Sequence, residues 1–166
     1  MLPRSLSIAS MCIGHQEDLG PNDGMVIREI RRAFDIPKPC PWCGLFVAWI
    51  LLRAYKLRDR RELRVVLRFA SPFYVDSTRD WYDQAKSRDM LTDAPEPGDL
   101  FLLLNARGVP HHIGFVASVP DDDGRFSTLE GNTNAGGSVD GDGVYRRVRN
   151  KRAGVVFIAL PKELKA

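Results

Sequence analysis

In the first half of the chain apolar residues recur at helical spacing. Between residues 25 and 34, Val26, Ile27, Ile30 and Phe34 stand at offsets of three and four with Arg28, Arg31 and Arg32 among them, which predicts an amphipathic helix. Residues 41–57 predict a second. Its stretch from Leu45 through Phe46, Val47, Ala48, Trp49, Ile50 and Leu51 to Leu52 is apolar on every side and belongs inside a core. Residues 61–69 and 77–88 carry weaker helical patterns, the latter with Ser77 or Thr78 as N-cap. The texture changes at Ala94-Pro95-Glu96-Pro97-Gly98. Beyond it residues 99–104, 113–119, 127–131, 143–148 and 155–160 are short, apolar and often β-branched, as strands are. Asp122-Asp123-Gly124 and Asp140-Gly141-Asp142-Gly143 supply turn signals between them. Helices followed by a meander of strands predict an α+β domain, with helices packed on an antiparallel sheet. Residues 1–166 are expected to form one such domain, helical in 1–95 and β-rich in 96–166.

Composition narrows the class without changing that picture. At 166 residues and 44% hydrophobic the chain can bury a core without covalent staples, and collagenous and disordered classes are excluded. The longest apolar run, residues 45–52, is far short of the roughly 20 residues that span a bilayer, so no transmembrane segment is expected. Residues 1–10 hold only a short apolar stretch broken by serines, which does not read as a secretory signal. A net charge of +3 is too mild to indicate nucleic acid. Three cysteines, Cys12, Cys40 and Cys43, are too few and odd in number for a disulfide scaffold, which points to chemistry for at least one.

Cys43 follows Pro39-Cys40-Pro41-Trp42 at the head of the apolar helix, and a proline in the first turn would fix the helix start there. Free N–H groups and the positive end of the dipole favour a thiolate at that place, and can hold an oxyanion formed by its attack on a carbonyl. A thiolate nucleophile needs a base, and the base an orienting acceptor. His111 and His112 head a strand, Ile113-Gly114-Phe115-Val116, in which Gly114 permits close approach of a helix or substrate. Glu130 and Asn132 are two apart and would share one face of an extended strand. A buried small hydrophobe at Cys43, a structural histidine and a Glu-Gly-Asn turn are the plain alternatives for each residue alone.

The ordered set Trp42-Cys43-Gly44-Leu45-Phe46-Val47, Pro97-Gly98-Asp99-Leu100, His112-Ile113-Gly114-Phe115-Val116 and Glu130-Gly131-Asn132 resembles the CHAP group of cysteine amidohydrolases/peptidases, of the NlpC/P60, papain-like type. Glu17 to Gly24 is similar to the segment before the catalytic helix in phage-associated members, and Gly141 to Arg147 to their late strand. The resemblance implies a papain-like fold and a peptidoglycan hydrolase. Cys43 would be the nucleophile, His112 the base and later the acid, Glu130 the group orienting the imidazole, and Asn132 an aid in positioning or polarising the carbonyl. It implies no metal and no organic cofactor. Delivery would depend on a holin or secretion machinery after synthesis in the cytoplasm, with an immunity or inhibitor protein as a further expected partner.

Trp42, His111, Asn22 and Trp81 are the candidate substrate contacts, and Cys40 a regulatory thiol able to form a disulfide with Cys43. Arg146, Arg147, Arg149, Lys151 and Arg152 read as a solvated strand face, or as attraction for an anionic wall. Three other readings stay open. Cys40-Pro41-Trp42-Cys43 is also the C-x-x-C signature of thioredoxin-like oxidoreductases, which would require βαβ units. Cys40, Cys43, His111 and His112 could ligate zinc, although adjacent histidines are poor ligand spacing. A CHAP-like fold could also serve as a non-catalytic phage tail or binding module.

Overall fold

The computed structural model describes residues 2–134, 141–152 and 154–165, so Asp140 of the second turn signal lies outside the described residues. Among the described residues five α-helices precede the sheet: α1 (Arg4–Met11), α2 (Met25–Arg32), α3 (Cys43–Tyr55), α4 (Arg60–Val66) and α5 (Thr78–Ser87). Six strands follow: β1 (Leu91–Thr92), β2 (Leu100–Leu104), β3 (Pro110–Val116), β4 (Arg125–Thr133), β5 (Gly143–Asn150) and β6 (Val155–Ile158). Among the described residues no helix is long and apolar enough to cross a membrane. The α+β class is as expected.

Local chemistry accounts for the helix ends. Ser77 caps α5, its Oγ accepting from the Asp80 N–H at 3.2 Å, and Asp59 caps α4 by accepting from Arg61 and Glu62 N–H at 2.8 and 3.0 Å. α3 starts at Cys43 with Trp42 as its N-cap, two residues later than the expected Pro41. Pro41 therefore precedes the helix and does not sit in its first turn. α1 was not foreseen from the sequence; it packs on α3 and β4 and buries Leu6 and Ala9.

Every strand pair is antiparallel, and the order is β1-β6-β2-β3-β4-β5. The expected meander holds from β2 to β5. β6 departs from it, crossing back to pair with β2 at Leu100↔Ile158 through Leu103↔Val155, which inserts it between β1 and β2. The parallel βαβ units that a thioredoxin-like fold needs are absent among the described residues. α3 lies at the centre, with residues 43–52 buried throughout, and it contacts α1, α2, α4, β3 and β4. Leu100, Leu102, Ile113, Phe115, Leu129 and Ile158 pack into that core, while Phe101, Val116, Phe126 and Phe157 form a second small cluster.

Candidate active site

The start of α3 carries no side-chain cap, so its first-turn N–H groups are open beside Cys43. The cysteine is 4% exposed. Trp42 is held just before it: its indole Nε1 donates to Glu17 Oε1 at 2.9 Å, and Glu17 Oε2 accepts from the Asn22 backbone N–H at 2.6 Å. The indole meets Phe46 edge-on at 6.1 Å between centroids. Both rings lie against Gly131 of β4, where an added Cβ would fall 2.6 Å from Phe46 Cγ and 2.7 Å from Trp42 Cζ3. The missing side chain lets α3 settle onto β4, which brings Cys43 to the two strands carrying His112 and Glu130.

His112 and Glu130 are both fully buried, and His112 Nε2 lies 2.8 Å from Glu130 Oε2. The β3–β4 ladder is registered at Phe115↔Leu129 and Val116↔Thr128, and Gly114 lies one rung further on, opposite Glu130. A Cβ on Gly114 would stand 3.0 Å from Glu130 Cγ and 2.8 Å from Phe101 Cε1. The close approach that Gly114 permits is thus made by the Glu130 side chain, not by a helix or substrate. Glu130 crosses over the glycine to reach the imidazole.

Among the described residues four donors converge on the carboxylate. Thr128 Oγ1 donates to Oε1 at 2.5 Å, Arg149 Nε to Oε1 at 2.8 Å, Arg149 Nη2 to Oε2 at 2.5 Å, and His112 completes the set at Oε2. Burial alone would raise the Glu130 pKa, but the bonds from Arg149 and His112 outweigh it and lower it to about 2. Burial likewise works against a charged imidazole, yet interaction with Cys43 and with Glu130 raises the His112 pKa to about 9. With Nε2 on Glu130, the ring nitrogen left to face Cys43 is Nδ1, which has no hydrogen-bond partner among the described residues. At neutral pH this is an arrangement in which an imidazolium is held between a carboxylate and a cysteine sulfur.

Asn132 is buried at the far end of β4, but not in the way alternation predicted. Its φ is +57°, and the β4–β5 register shifts between Gly131 and Thr133, so Asn132 occupies a bulge. Two expected substrate contacts are corrected. Trp42 is 1% exposed and bound to Glu17, and Trp81 is fully buried, stacked edge-on with Phe69 and Phe73 and donating Nε1 to Val75 O at 3.0 Å. Both rings belong to the core because each places its N–H on an internal acceptor. Asn22 has its backbone in the left-handed region at φ +56° and supports Glu17 through its own N–H. His111 is exposed beside His112.

All three cysteines are free thiols. Cys40 is half-buried, and burial together with the Asp76 carboxylate holds its thiol above the ordinary value. No group of three or more His, Cys, Asp or Glu side chains among the described residues could hold a metal ion, so Cys40, Cys43, His111 and His112 do not assemble as ligands. Arg149 is the site residue that sequence reasoning missed; it was absorbed into the basic run of residues 146–152. The available signal was its parity with Arg147 along a strand, opposite that of Val148.

In a comparison with known families, the model of the CHAP domain matches residues 36–132, a span that holds Cys43, His112, Glu130 and Asn132. No curated protein matches the chain.

Proposed function

The chain belongs to the CHAP domain family, and from that premise we propose that it hydrolyses an amide bond of peptidoglycan through a Cys-His-Glu mechanism with an acyl-enzyme intermediate. CHAP domains are in general hydrolytic enzymes of the cell wall. The observation that supports the mechanism best is the 2.8 Å contact between His112 Nε2 and Glu130 Oε2, which leaves Nδ1 to the cysteine at the start of α3.

The proton of Cys43 passes to His112 Nδ1 as the sulfur attacks the amide carbonyl carbon. The oxyanion that forms is met by the open N–H groups of the first turn of α3, with Asn132 assisting its placement. As the tetrahedral intermediate collapses, the C–N bond breaks and the amine leaves with the proton from His112, giving a thioester. Water then attacks the thioester while His112 takes its proton. The second collapse releases the carboxylic acid product and the cysteine. Glu130 keeps the imidazole oriented and stabilises its charge in both half-reactions, as the carboxylate of a hydrolytic triad does. The scissile bond is either that between N-acetylmuramic acid and L-alanine or one within the stem or cross-bridge peptide.

Purified peptidoglycan digested under reducing conditions and analysed by mass spectrometry tests this reading. Wild type should release new fragments whose masses name the bond, and Cys43→Ala should release none. Fragments from both proteins would remove Cys43 as nucleophile. None from wild type across several wall chemistries would return weight to a binding module, for which wall sedimentation with intact affinity is the positive sign.

A further inference from the structure

Glu130 is gripped from β5, outside the span of the family match. We propose that Arg149 is a positioning residue of this active site, fixing Glu130 as an anion with Oε2 aimed at His112. The proposal rests on the reading of Cys43 and His112 as a nucleophile and its base.

Three observations carry it. The first is geometric. Arg149 engages both carboxylate oxygens, Nε on Oε1 at 2.8 Å and Nη2 on Oε2 at 2.5 Å, a planar two-pronged contact that a lysine cannot reproduce. With Thr128 Oγ1 on Oε1 at 2.5 Å, the carboxylate is blocked from rotating by neighbours on two strands. The second is the path of the side chain. Arg149 pairs in register with Phe126, whereas Glu130 pairs with Tyr145, so Arg149 extends along the ladder past the Thr128↔Arg147 rung to reach it. Its side chain is 16% exposed, while neighbouring Val148 is 66% exposed on the other face. The third is burial. Glu130 has no exposed surface, so with one cation fewer its carboxylate takes up a proton at a higher pH, and the acceptor that orients His112 is lost sooner as pH falls. Among the described residues the charged groups facing it are His112 from β3 and Arg149 from β5; Tyr145 is its rung partner, and Cys43 of α3 acts on the far side of the imidazole.

The decisive experiment pairs steady-state kinetics with NMR of the His112 ring in wild type, Arg149→Gln and Glu130→Gln. With three histidines in the chain, the signal is assigned by elimination using His15→Gln and His111→Gln. Arg149→Gln should lower kcat at least about tenfold with KM unchanged, as expected for loss of a hydrogen-bonded charge pair. The acidic limb of its pH–rate profile should move toward neutral by about one pH unit, because Glu130 loses an opposite charge. Its His112 midpoint should rise, since the imidazolium no longer shares the carboxylate with a cation, whereas Glu130→Gln should lower it. Arg149→Lys should restore the acidic limb but only part of kcat. A purely structural arginine would lower the melting temperature and leave the His112 midpoint and the acidic limb of the folded fraction where they were, and that result overturns the proposal. If Arg149→Gln does not fold, Arg149→Lys decides by the same readouts: wild-type kcat overturns, reduced kcat with a wild-type acidic limb supports. Should wild type leave peptidoglycan uncut, the wall reading fails, and the His112 midpoints alone decide the role of Arg149.

Discussion

A charged pair sealed inside a protein makes stability depend on pH from both sides. His112 has its pKa raised from 6.5 to about 9, so its contribution is fully present below 6.5 and fades as pH climbs through 9. Glu130 has its pKa lowered from 4.5 to about 2, so its contribution is fully present above 4.5 and fades as pH falls through 2. The pair should therefore support the fold most between pH 4.5 and 6.5. Thermal melts across pH should show wild type losing stability from 6.5 toward 9, and Glu130→Gln should flatten that decline. A Glu130→Gln protein with the wild-type slope would show that another group is responsible. Gly114 is the neighbouring test. Gly114→Ala puts a methyl group 3.0 Å from Glu130 Cγ and 3.0 Å from the Leu129 carbonyl, and the backbone oxygen cannot move aside as a side chain can. Activity should fall by at least about tenfold and stability by about 1–3 kcal/mol, the latter measured by urea unfolding.

At the scale of elements the key contact is α3 against β4. Gly131→Ala would drive a methyl group into Phe46 and Trp42, and about 1–3 kcal/mol of stability should be lost, with activity at permissive temperature falling further because Cys43 rides on the same helix. Cys40 lies three residues before Cys43 and off the helix, so Cys40→Ser should keep wild-type activity under reducing conditions. In wild type, oxidised glutathione as electron acceptor should link the two thiols and stop hydrolysis, with dithiothreitol restoring it; persistent reversible inactivation in Cys40→Ser would place the modification on Cys43 alone. Much at this scale was legible in the sequence. α2 announces itself by apolar spacing and α3 by an apolar run buried on all sides, whereas α4, which buries only Leu63, and α5, which buries Trp81 and Ala85 behind its Ser77 cap, left weaker patterns. α1 was not legible: Arg4-Ser5-Leu6-Ser7-Ile8-Ala9-Ser10-Met11 mixes serines with apolar residues, and the helix forms because α3 and β4 cover Leu6 and Ala9. β5 inverts the usual alternation, with Arg147 and Arg149 half-buried and Val148 outward, so composition hid Arg149 inside a basic run. Cys43, His112 and Glu130 were readable as an ordered set. The bulge at Asn132 was not, since it arises from the pairing of β4 with β5 and leaves no local mark.

The whole molecule is tied at the junction of its halves by Asp99. Its Oδ2 accepts from the Glu96 N–H at 2.8 Å, and its Oδ1 accepts from Leu160 N–H and from Lys165 Nζ, each at 2.8 Å, so one buried carboxylate fastens the entry to β2 onto the exit from β6. Asp99→Ala strands the Glu96 and Leu160 N–H groups and leaves Lys165 with Glu96 as its carboxylate partner, and about 3 kcal/mol should be lost in chemical denaturation with no change in the pH dependence of the remaining activity. That fastening bears on the return of β6 to the interior of the sheet. Strands β2 to β5 pair with sequence neighbours and can zip together early, but the other side of β2 stays open until β6 comes back to it. Contacts between distant stretches form late because loop closure must precede them. A nascent chain on the ribosome therefore carries an unclosed β2 until β6 has emerged, and the closing step of folding is the docking of a strand already flanked by finished structure. Such an interval is when an unpaired strand edge meets other chains, so slow elongation past β5 would favour aggregation, and fast release of β6 would favour the native sheet.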